Sequence, residues 1–311
     1  MKIQLHQRII QSIRGRTPLS IRHKIGPVLS YAIYMINIHV RKNRPRPHVL
    51  STNDTIDLIL KKKLSVIRFG DGEIFMLDGG DTAFQKRSGD LVPRLESIIQ
   101  VNDPRLLICV PDIWERLDHL EPYAFWFCIH HLYRNGHIYK ALLSDAQTYG
   151  DTNITRPYLA QKDKSDCGNI FKKLFSIWQG EDVVLIEGAK SRLGVGNNMF
   201  DDAKSLGRIL CPAENAYGKY QAIKSEAMKI GKDKLVLLSL GPTAKVLAYD
   251  LFAAGYRVVD VGHIDMEYEM FLRKETKQVK VPFKYFNEIH ERNPEECKDA
   301  AYLSQIIAHI E

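Results

Sequence analysis

The sequence predicts an α/β fold, a doubly wound and mostly parallel sheet of the Rossmann-like kind. Short apolar runs rich in β-branched residues recur along the chain, and they alternate with segments whose apolar residues are three or four positions apart. This alternation is typical of a parallel sheet with helices on both faces. Ligands of such sheets bind beyond the carboxyl ends of the strands, and we expect the functional residues there.

The predicted strands cover residues 64–68, 106–110, 140–144, 183–187, 208–211, 235–239 and 257–261. Helical spacing is clearest at residues 91–99, 171–178, 217–230 and 244–254. Ser51 or Thr52 is expected to cap the first helix. Residues 51–311 are therefore expected to form one domain, preceded by a basic helical arm at residues 1–50.

The charge of the chain is concentrated in this arm. The net charge of the 311 residues is +7, but residues 1–50 contain ten Lys and Arg and no acidic residue. The remainder holds 34 basic and 37 acidic residues, so we expect no nucleic-acid partner. The apolar residues 27–40 are too few for the roughly 20 that a spanning helix needs. They are expected to lie on an anionic membrane surface, or to pack on the large domain or on a second copy of the chain.

Five cysteines without C-x-x-C spacing favour reduced thiols, exclude a cysteine zinc site and indicate a reducing compartment. The N-terminus also lacks the layout of a signal peptide. The expected location is the cytoplasm, with the arm allowing a peripheral position on the inner face of the cell membrane.

Two carboxylates follow the first buried strand, in the run Arg68-Phe69-Gly70-Asp71-Gly72-Glu73. In an extended chain, residues two apart point the same way, so Asp71 and Glu73 are expected to converge on one cation or one ribose. The flanking glycines allow a ligand to approach the backbone closely. The alternative is an ordinary turn, since Gly-Asp-Gly is common there.

Two glycine-containing segments predict phosphate binding. Lys190 and Arg192 offer positive charge, and the turn that follows offers backbone N–H groups at Gly194, Gly196 and Asn197. The alternative is an exposed basic loop.

Gly241 and Thr243 lie between a very apolar strand and a helix, as in a dinucleotide-binding fingerprint. The second and third glycines of that fingerprint are replaced, which makes a nicotinamide enzyme the second choice.

His263, Asp265 and Glu267 alternate after the last parallel strand and are expected to face one crevice. Asp265 or Glu267 is then the candidate base for an acceptor hydroxyl, with His263 nearer to a diphosphate or metal. The alternative is that these acids cap a helix and complement its dipole.

In this order, the motifs resemble those of the GT-D-type glycosyltransferases, bacterial enzymes that use sugar nucleotides and carry an Asp-X-Glu motif. The resemblance covers residues 52 to the C-terminus. It implies a UDP-hexose donor, with glucose as first candidate, Mn²⁺ or Mg²⁺ as cofactor, and a surface glycan, glycolipid or glycoprotein as acceptor. It implies nucleotide binding by Arg68 and Asp71, and metal binding by Asp71 and Glu73.

Two other classes of protein remain open. One is an NAD(P)-dependent oxidoreductase, and the other is a membrane-associated protein that binds a nucleotide or sugar without catalysis.

Overall fold

The computed structural model describes residues 27–32, 34–36, 47–114 and 117–311. Within these residues, nine strands form one sheet in which all neighbouring strands are parallel. The strands are β1 (His48–Val49), β2 (Ser65–Arg68), β3 (Leu106–Val110), β4 (Thr148–Asp151), β5 (Asp182–Gly188), β6 (Ser205–Cys211), β7 (Leu235–Ser239), β8 (Arg257–Asp260) and β9 (Ile306–His309). The predicted fold class is confirmed.

The helices cover both faces of this sheet. They are α1 (Thr52–Lys62), α2 (Asp71–Leu77), α3 (Leu91–Ile98), α4 (Pro122–Leu142), α5 (Cys167–Phe175), α6 (Tyr220–Ala227), α7 (Pro242–Ala253), α8 (Ile264–Leu272) and α9 (Ala300–Gln305). Alternate strand residues enter two apolar clusters, since Ile67 and Leu238 belong to one, and Val66 and Leu237 to the other. Ser51 caps α1 as predicted, because its hydroxyl accepts a hydrogen bond from the N–H of Asp54.

The strand order places a crevice at the carboxyl ends of the central strands. Across the sheet the order is β1-β4-β3-β2-β8-β7-β5-β6-β9. The chain leaves β5 towards β6 and then returns to β7 on the other side of β5. At such a reversal the loops diverge to opposite faces of the sheet and leave room for a ligand.

One predicted strand is wrong. Residues 140–144 were expected to be extended, but α4 continues to Leu142 and the strand follows at Thr148–Asp151. Helix α4 buries residues such as Ile129, Leu132 and Ile138 at helical spacing. A short apolar run at the end of a buried helix has the same composition as a strand, and periodicity alone does not separate them.

Residues 27–32 and 34–36 are helical and contact the large domain. Tyr34 is buried among Leu117, Leu120 and Ala124, and its hydroxyl accepts a hydrogen bond from the N–H of Leu117 at 3.1 Å. These residues therefore pack on the large domain, which is one of the alternatives predicted for residues 27–40. The remainder of the predicted arm lies outside the described residues. In the part of the chain that the structure describes, no helix has the length and apolar character needed to cross a membrane.

Candidate active site

Two clefts open beyond the carboxyl ends of the strands, and His263 lines both. The first cleft has a volume of about 400 Å³, and its walls include Phe84, Gly188, Ser191, Asn215, Gly241 and Tyr285. The second has a volume of about 220 Å³, and its walls include Arg156, Leu159, Met266, Glu267, Phe286 and Glu288. The site is therefore divided into two compartments that share one imidazole.

Gly241 forms part of the first cleft at the start of α7. Its φ of 53° and ψ of −138° are backbone angles that essentially only glycine adopts. A Cβ at this position would also lie 2.4 Å from the ring of Phe84. Helix α7 begins at the next residue, and its dipole favours an anion at this end, although Pro242 has no N–H and the N–H of Ala244 donates to the carbonyl of Gly241 at 3.0 Å. Gly241 thus lies where the sequence predicted it.

Thr243 has a supporting position instead of the predicted ligand contact. It is fully buried, and its hydroxyl hydrogen-bonds the side-chain oxygen of Gln85 at 3.1 Å. Asn215 fixes the same loop, because it donates its N–H to the carbonyl of Phe84 and accepts the N–H of Lys86. These bonds hold Phe84 and Gln85 across the first cleft.

Glu267 is the acidic group of the second cleft whose proton affinity is raised. Its Oε1 accepts hydrogen bonds from the N–H groups of Tyr158 and Leu159, at 2.9 and 2.7 Å. Burial raises the pKa of Glu267, and Arg156 and the two N–H groups only partly oppose this. A carboxylate with a raised pKa is a stronger base, and the role of Glu267 as the base stays a prediction.

Arg156, Glu288 and His263 form a chain of charge contacts along the second cleft. An Arg156 nitrogen lies 2.7 Å from Oε1 of Glu288, and Oε2 of Glu288 lies 3.9 Å from Nδ1 of His263. Burial alone would raise the pKa of Glu288, but the charges of His263, once it is protonated, and of Arg156 outweigh it and lower that pKa to about 2. Glu288 is thus ionised at neutral pH.

His263 is held as a neutral ring between the clefts. Burial lowers its pKa below the ordinary value, and the attraction of Glu288 does not compensate. Its Nδ1 has no hydrogen-bond partner among the described residues. A neutral imidazole on the wall shared by two clefts can accept or donate a proton in either.

The predicted extended register of His263, Asp265 and Glu267 is wrong, because α8 begins at the residue after His263. Asp265 therefore points away from the clefts and is 1% exposed. It accepts hydrogen bonds from Lys284 Nζ at 2.7 Å and from the N–H of Gly194 at 2.9 Å. The structure gives Asp265 a packing role instead of the predicted catalytic one.

The loop at residues 194–197, which was predicted to bind phosphate, contacts the buried Asp265 as well. The side-chain amide of Asn197 donates to Asp265 and Glu269, each at 2.8 Å. Gly194 and Gly196 adopt positive φ in the same turn, and neither lines either cleft. The glycines serve the turn, as the loop alternative stated.

Lys190 and Arg192 hold a later segment of the chain. Lys190 Nζ donates to the side-chain oxygen of Asn293 at 2.7 Å, and Arg192 donates to the carbonyl of Glu295 at 2.6 Å. Phosphate binding by these two residues stays a prediction. Their contacts fix residues 283–295, which supply Tyr285 to the first cleft and Glu288 to the second.

The acidic pair after β2 also differs from the prediction, because α2 begins at Asp71 and residues two apart on a helix diverge. Asp71 is exposed. Glu73 is buried, and its Oε2 accepts the N–H of Gly70 at 2.8 Å while its Oε1 pairs with Lys245 Nζ at 3.0 Å. The two carboxylates do not converge.

Lys245 joins Glu73 to Asp260, whose Oδ2 lies 3.1 Å from the same ammonium. Arg68 contacts Asp260 from the other side and donates to the carbonyl of Thr152 and the hydroxyl of Thr155. Arg68, which was predicted to contact the nucleotide, is buried and connects β2 to β8 and to the turn after β4. Burial would raise the pKa of Asp260, but Lys245 and Arg68 lower it below the ordinary value.

A divalent cation fits Asp71 better than Glu73. Among the described residues, no group of three or more His, Cys, Asp or Glu side chains is placed to hold an ion. Mg²⁺ and similar ions commonly use one or two carboxylates together with substrate phosphates, and they do not need a protein cage. Asp71 has no hydrogen-bond or ion-pair partner in the described ranges and meets that requirement, whereas both oxygens of Glu73 are occupied.

Sequence reasoning missed several residues that build the clefts. Phe84 and Tyr285 lie on irregular segments, Glu288 lies in the short 3₁₀ helix Asn287–Ile289, and Lys245 lies within an apolar α-helix. Lys245 carried the only available signal, since a lysine flanked by apolar residues on a buried helix requires an acidic partner.

Comparison with known proteins identifies the family. The model for the glycosyltransferase GT-D fold matches residues 66–289, which include both clefts. The chain belongs to the GT-D-fold glycosyltransferase family.

Two curated GT-D relatives come from streptococci. The chain is 40% identical to a probable glycosyl transferase Gly of Streptococcus gordonii, over 84% of its own length and 39% of that protein. It is 39% identical to the glycosyltransferase GlyD of Streptococcus pneumoniae serotype 4, over 84% of this chain and 32% of that protein. The chain therefore spans about a third to two fifths of these relatives.

Solved structures show the same fold. A new glycosyltransferase from Streptococcus sanguinis superposes with a TM-score of 0.81 at 40% identity, covering 86% of this chain and all of that one. A structure described as the highly conserved domain of unknown function 1792, with a distinct glycosyltransferase fold, gives a TM-score of 0.83 at 36% identity. It covers 91% of this chain and all of its own.

Proposed function

We propose that this GT-D protein is a metal-dependent glycosyltransferase that moves a hexose from a UDP-sugar to a surface glycan, glycolipid or glycoprotein. Glucose is the first donor sugar to test. The observation that carries the proposal is the pair of clefts that meet at His263, one suited to a nucleotide diphosphate and one suited to the acceptor.

The first cleft supports the donor assignment. It lies at the reversal of strand order, and the dipole of α7 favours a phosphate beside Gly241. Phe84 and Tyr285 offer aromatic faces, and Ser191 offers a hydroxyl.

A divalent ion bound with the donor would neutralise the charge that develops on the departing diphosphate. Asp71 is the side chain that would hold Mn²⁺ or Mg²⁺ in this arrangement. It is the first residue of α2, after β2, and lines neither cleft, and its charge helps to raise the pKa of Arg156 beside the second cleft.

Proton removal from the acceptor is assigned to the second cleft. In a transfer with inversion, a base must take the proton of the attacking hydroxyl. Glu267 and His263 both line this cleft. Burial raises the pKa of Glu267 above its ordinary value and lowers the pKa of His263 below its ordinary value. The nearest carboxylate oxygen of Glu288 lies 3.9 Å from Nδ1 of His263.

An NAD(P)-dependent oxidoreductase is less consistent with the site. In a dinucleotide-binding fold, an acid at the end of the strand after the glycine turn binds the ribose. Asp260 has that position, but it is 1% exposed and paired with Lys245 and Arg68. It has no surface left for a ribose.

The basic residues 1–50 support a position on the cytoplasmic face of an anionic membrane, where a lipid-linked or surface-bound acceptor is made accessible. Val28 and Tyr31 are exposed on the helical part of this arm and are available to an interface. The alternative is that two copies of the chain associate through this helical segment, and the oligomeric state in solution distinguishes the two arrangements.

Thermal-shift measurements test the donor assignment. We expect UDP with Mn²⁺ to raise the unfolding temperature, UDP alone to raise it less, and NAD to leave it unchanged. No shift with UDP and Mn²⁺ would refute the proposal. Hydrolysis of UDP-glucose in the absence of acceptor separates an enzyme from a non-catalytic binder, which would bind UDP without turnover.

A further inference from the structure

Helix α4 carries a row of exposed aromatic side chains on one face. Tyr123, Trp126 and Phe127 are exposed in its first half, and Tyr133 is exposed further along. Residues three and four apart lie side by side on a helix, so the first three rings are neighbours. The buried residues of α4, such as Leu132, point into the domain from the other side of the helix. The row is therefore a separate surface and not the edge of the core.

The helical residues 27–32 and 34–36 lie beside this row and extend it. The ring centroids of Tyr31 and Trp126 are 6.2 Å apart, and the hydroxyl of Ser30 lies 3.2 Å from Nδ1 of His130. Val28 and Tyr31 are three apart and both are exposed. The exposed side chains of the two helices thus form one surface. We call it the aromatic flank, and it consists of Val28, Tyr31, Tyr123, Trp126, Phe127 and Tyr133.

The composition of the aromatic flank indicates an interface between water and lipid. Neighbouring large apolar side chains on a protein surface usually mark an interaction site. Tyr and Trp combine an apolar ring with a polar group, and they are enriched at the headgroup level of membranes. Of the six side chains, four are Tyr or Trp.

Charge separates a membrane from a second copy of the chain as the occupant. Helix α4 contains no acidic residue, and its Arg134 and Lys140 are exposed. Residues 1–50, which include the second helix of the flank, contain ten Lys and Arg and no acid. Two copies that met through this flank would bring like charges together, whereas an anionic lipid surface would attract both helices.

The aromatic flank reaches the edge of the sheet at which the clefts open. Helix α4 follows β3, so its first turn lies beyond the carboxyl ends of the strands. Partial burial raises the pKa of Tyr123 to about 12, and the charges of Glu267 and Arg156 act on it as well. Charges act strongly only over short distances, so Tyr123 lies near the residues of the second cleft. A surface that covered the flank would extend to the candidate active site.

We propose that the aromatic flank docks on an anionic lipid membrane, with Trp126 and Phe127 among the headgroups and Tyr123 nearest to the active site. This extends the membrane contact from the basic residues 1–50 to the catalytic domain. The inference rests on the proposed glycosyltransferase function in one respect, because a docked domain would act on acceptors that the membrane carries.

The fluorescence of Trp126 in the full chain tests this docking. The chain has three tryptophans, of which Trp178 is fully buried, Trp114 is partly buried and Trp126 is exposed. We expect vesicles of phosphatidylcholine and phosphatidylglycerol to shift the emission to shorter wavelength, and acyl-chain-brominated lipids to quench it. Vesicles of phosphatidylcholine alone should have a much smaller effect. Trp126→Phe should still bind vesicles but lose this change in emission.

Two outcomes of this measurement would overturn the proposal. One is that the chain does not sediment with the anionic vesicles. The other is that it sediments with them while the emission of Trp126 stays unchanged, which would assign the binding to the basic residues without the flank.

Substitutions in the flank measure its contribution. The double variant Trp126→Ala/Phe127→Ala should bind the anionic vesicles at least about tenfold more weakly, because two large apolar side chains are lost from the interface. Leu303→Ala is the matched control, since Leu303 is 50% exposed, compared with 54% for Phe127, and precedes β9 at the opposite edge of the sheet. Equal binding by the double variant and wild type would contradict the docking. A dimer that Phe127→Glu converts to monomers in sedimentation velocity would assign the flank to a second copy instead.

The docking and the proposed function fail in different ways. Hydrolysis of UDP-glucose does not need vesicles, and the double variant should retain it. If wild type hydrolyses UDP-glucose but does not bind anionic vesicles, only the docking is wrong. If it binds the vesicles through Trp126 but neither binds UDP nor hydrolyses UDP-glucose, the docking is correct and the proposed function is wrong.

Discussion

At the scale of single residues, acidic side chains that are close in sequence differ in burial and in the groups that they contact. Asp71 and Glu73 are two residues apart, yet one is exposed and the other is paired with a buried ammonium. Asp265 and Glu267 are also two apart, and only Glu267 faces a cleft. In each pair a helix begins at or just before the first acid, and this separates the two side chains.

Asp71→Asn should abolish the additional thermal shift that Mn²⁺ gives with UDP while leaving the shift with UDP alone. An amide is a poorer ligand than a carboxylate, and Asp71 is exposed, so the fold should be unaffected. Asp201→Asn, at another exposed position, is the control. An unchanged response to Mn²⁺ in Asp71→Asn would remove this residue from the metal site.

Glu267→Gln should lower kcat by roughly 10²- to 10⁴-fold, because the amide cannot accept a proton. Its unfolding temperature should be equal or higher. Burial disfavours the charged carboxylate and raises its pKa, whereas the amide oxygen can still accept the two N–H bonds. Steady-state kinetics and thermal unfolding measure the two effects, with exposed Glu296→Gln as control. Wild-type turnover in Glu267→Gln would assign the base to another group.

At the scale of elements, helices α2 and α7 and strand β8 are joined by one lysine. Lys245 Nζ lies 3.0 Å from Glu73, 3.1 Å from Asp260 and 3.2 Å from the carbonyl of Gly241. The elements that carry Asp71, the first cleft and His263 therefore share a buried ionic contact. This contact sets their positions relative to one another.

Lys245→Met should destabilise the protein by about 3–5 kcal/mol, since it leaves the buried Glu73 without its cation and Asp260 with Arg68 alone. Lys229→Met should cost less than about 1 kcal/mol, because that side chain is 68% exposed in its pair with Glu226. Urea unfolding with an unchanged m-value gives both free energies. Equal effects of the two substitutions would mean that the buried contact contributes no more than a surface pair.

The sequence was sufficient for the sheet and for the location of the site, but not for the partners of its charged groups. The strand patterns and the rule for parallel sheets predicted that His263, Glu267 and Gly241 lie beyond the strand ends, and all three line the clefts there, although the extended register expected for His263 and Glu267 is wrong. The pairing of Lys190 and Arg192 with residues 283–295, and of Asp265 with Lys284, depends on a segment without periodicity. Such irregular segments carry no pattern from which their path can be predicted.

At the scale of the whole molecule, acid should weaken the link between residues 283–295 and the rest of the domain. The pKa of Glu288 in the folded protein is about 2, below its ordinary value of 4.5, with burial opposing and the charges of His263 and Arg156 causing the decrease. A lowered pKa stabilises the folded state fully above the ordinary value. That contribution is lost as the pH falls through 4.5 towards 2.

The difference in free energy of unfolding between wild type and Glu288→Gln should therefore shrink as the pH falls from about 6 to about 3. Urea unfolding at several pH values measures it. Glu295→Gln, whose carboxylate is exposed, should differ from wild type by a small amount that does not vary with pH. A difference for Glu288→Gln that stays constant across this range would show that the carboxylate is not stabilised by Arg156.

The central position of β2 delays completion of the sheet during synthesis. Val66 in β2 pairs with Val259 in β8, which the ribosome adds 193 residues later. At about 5–20 residues per second, that interval lasts roughly 10–40 s. Throughout it, an apolar edge of the nascent chain lacks its final neighbour, so a chaperone that shields such edges should increase the yield of native protein.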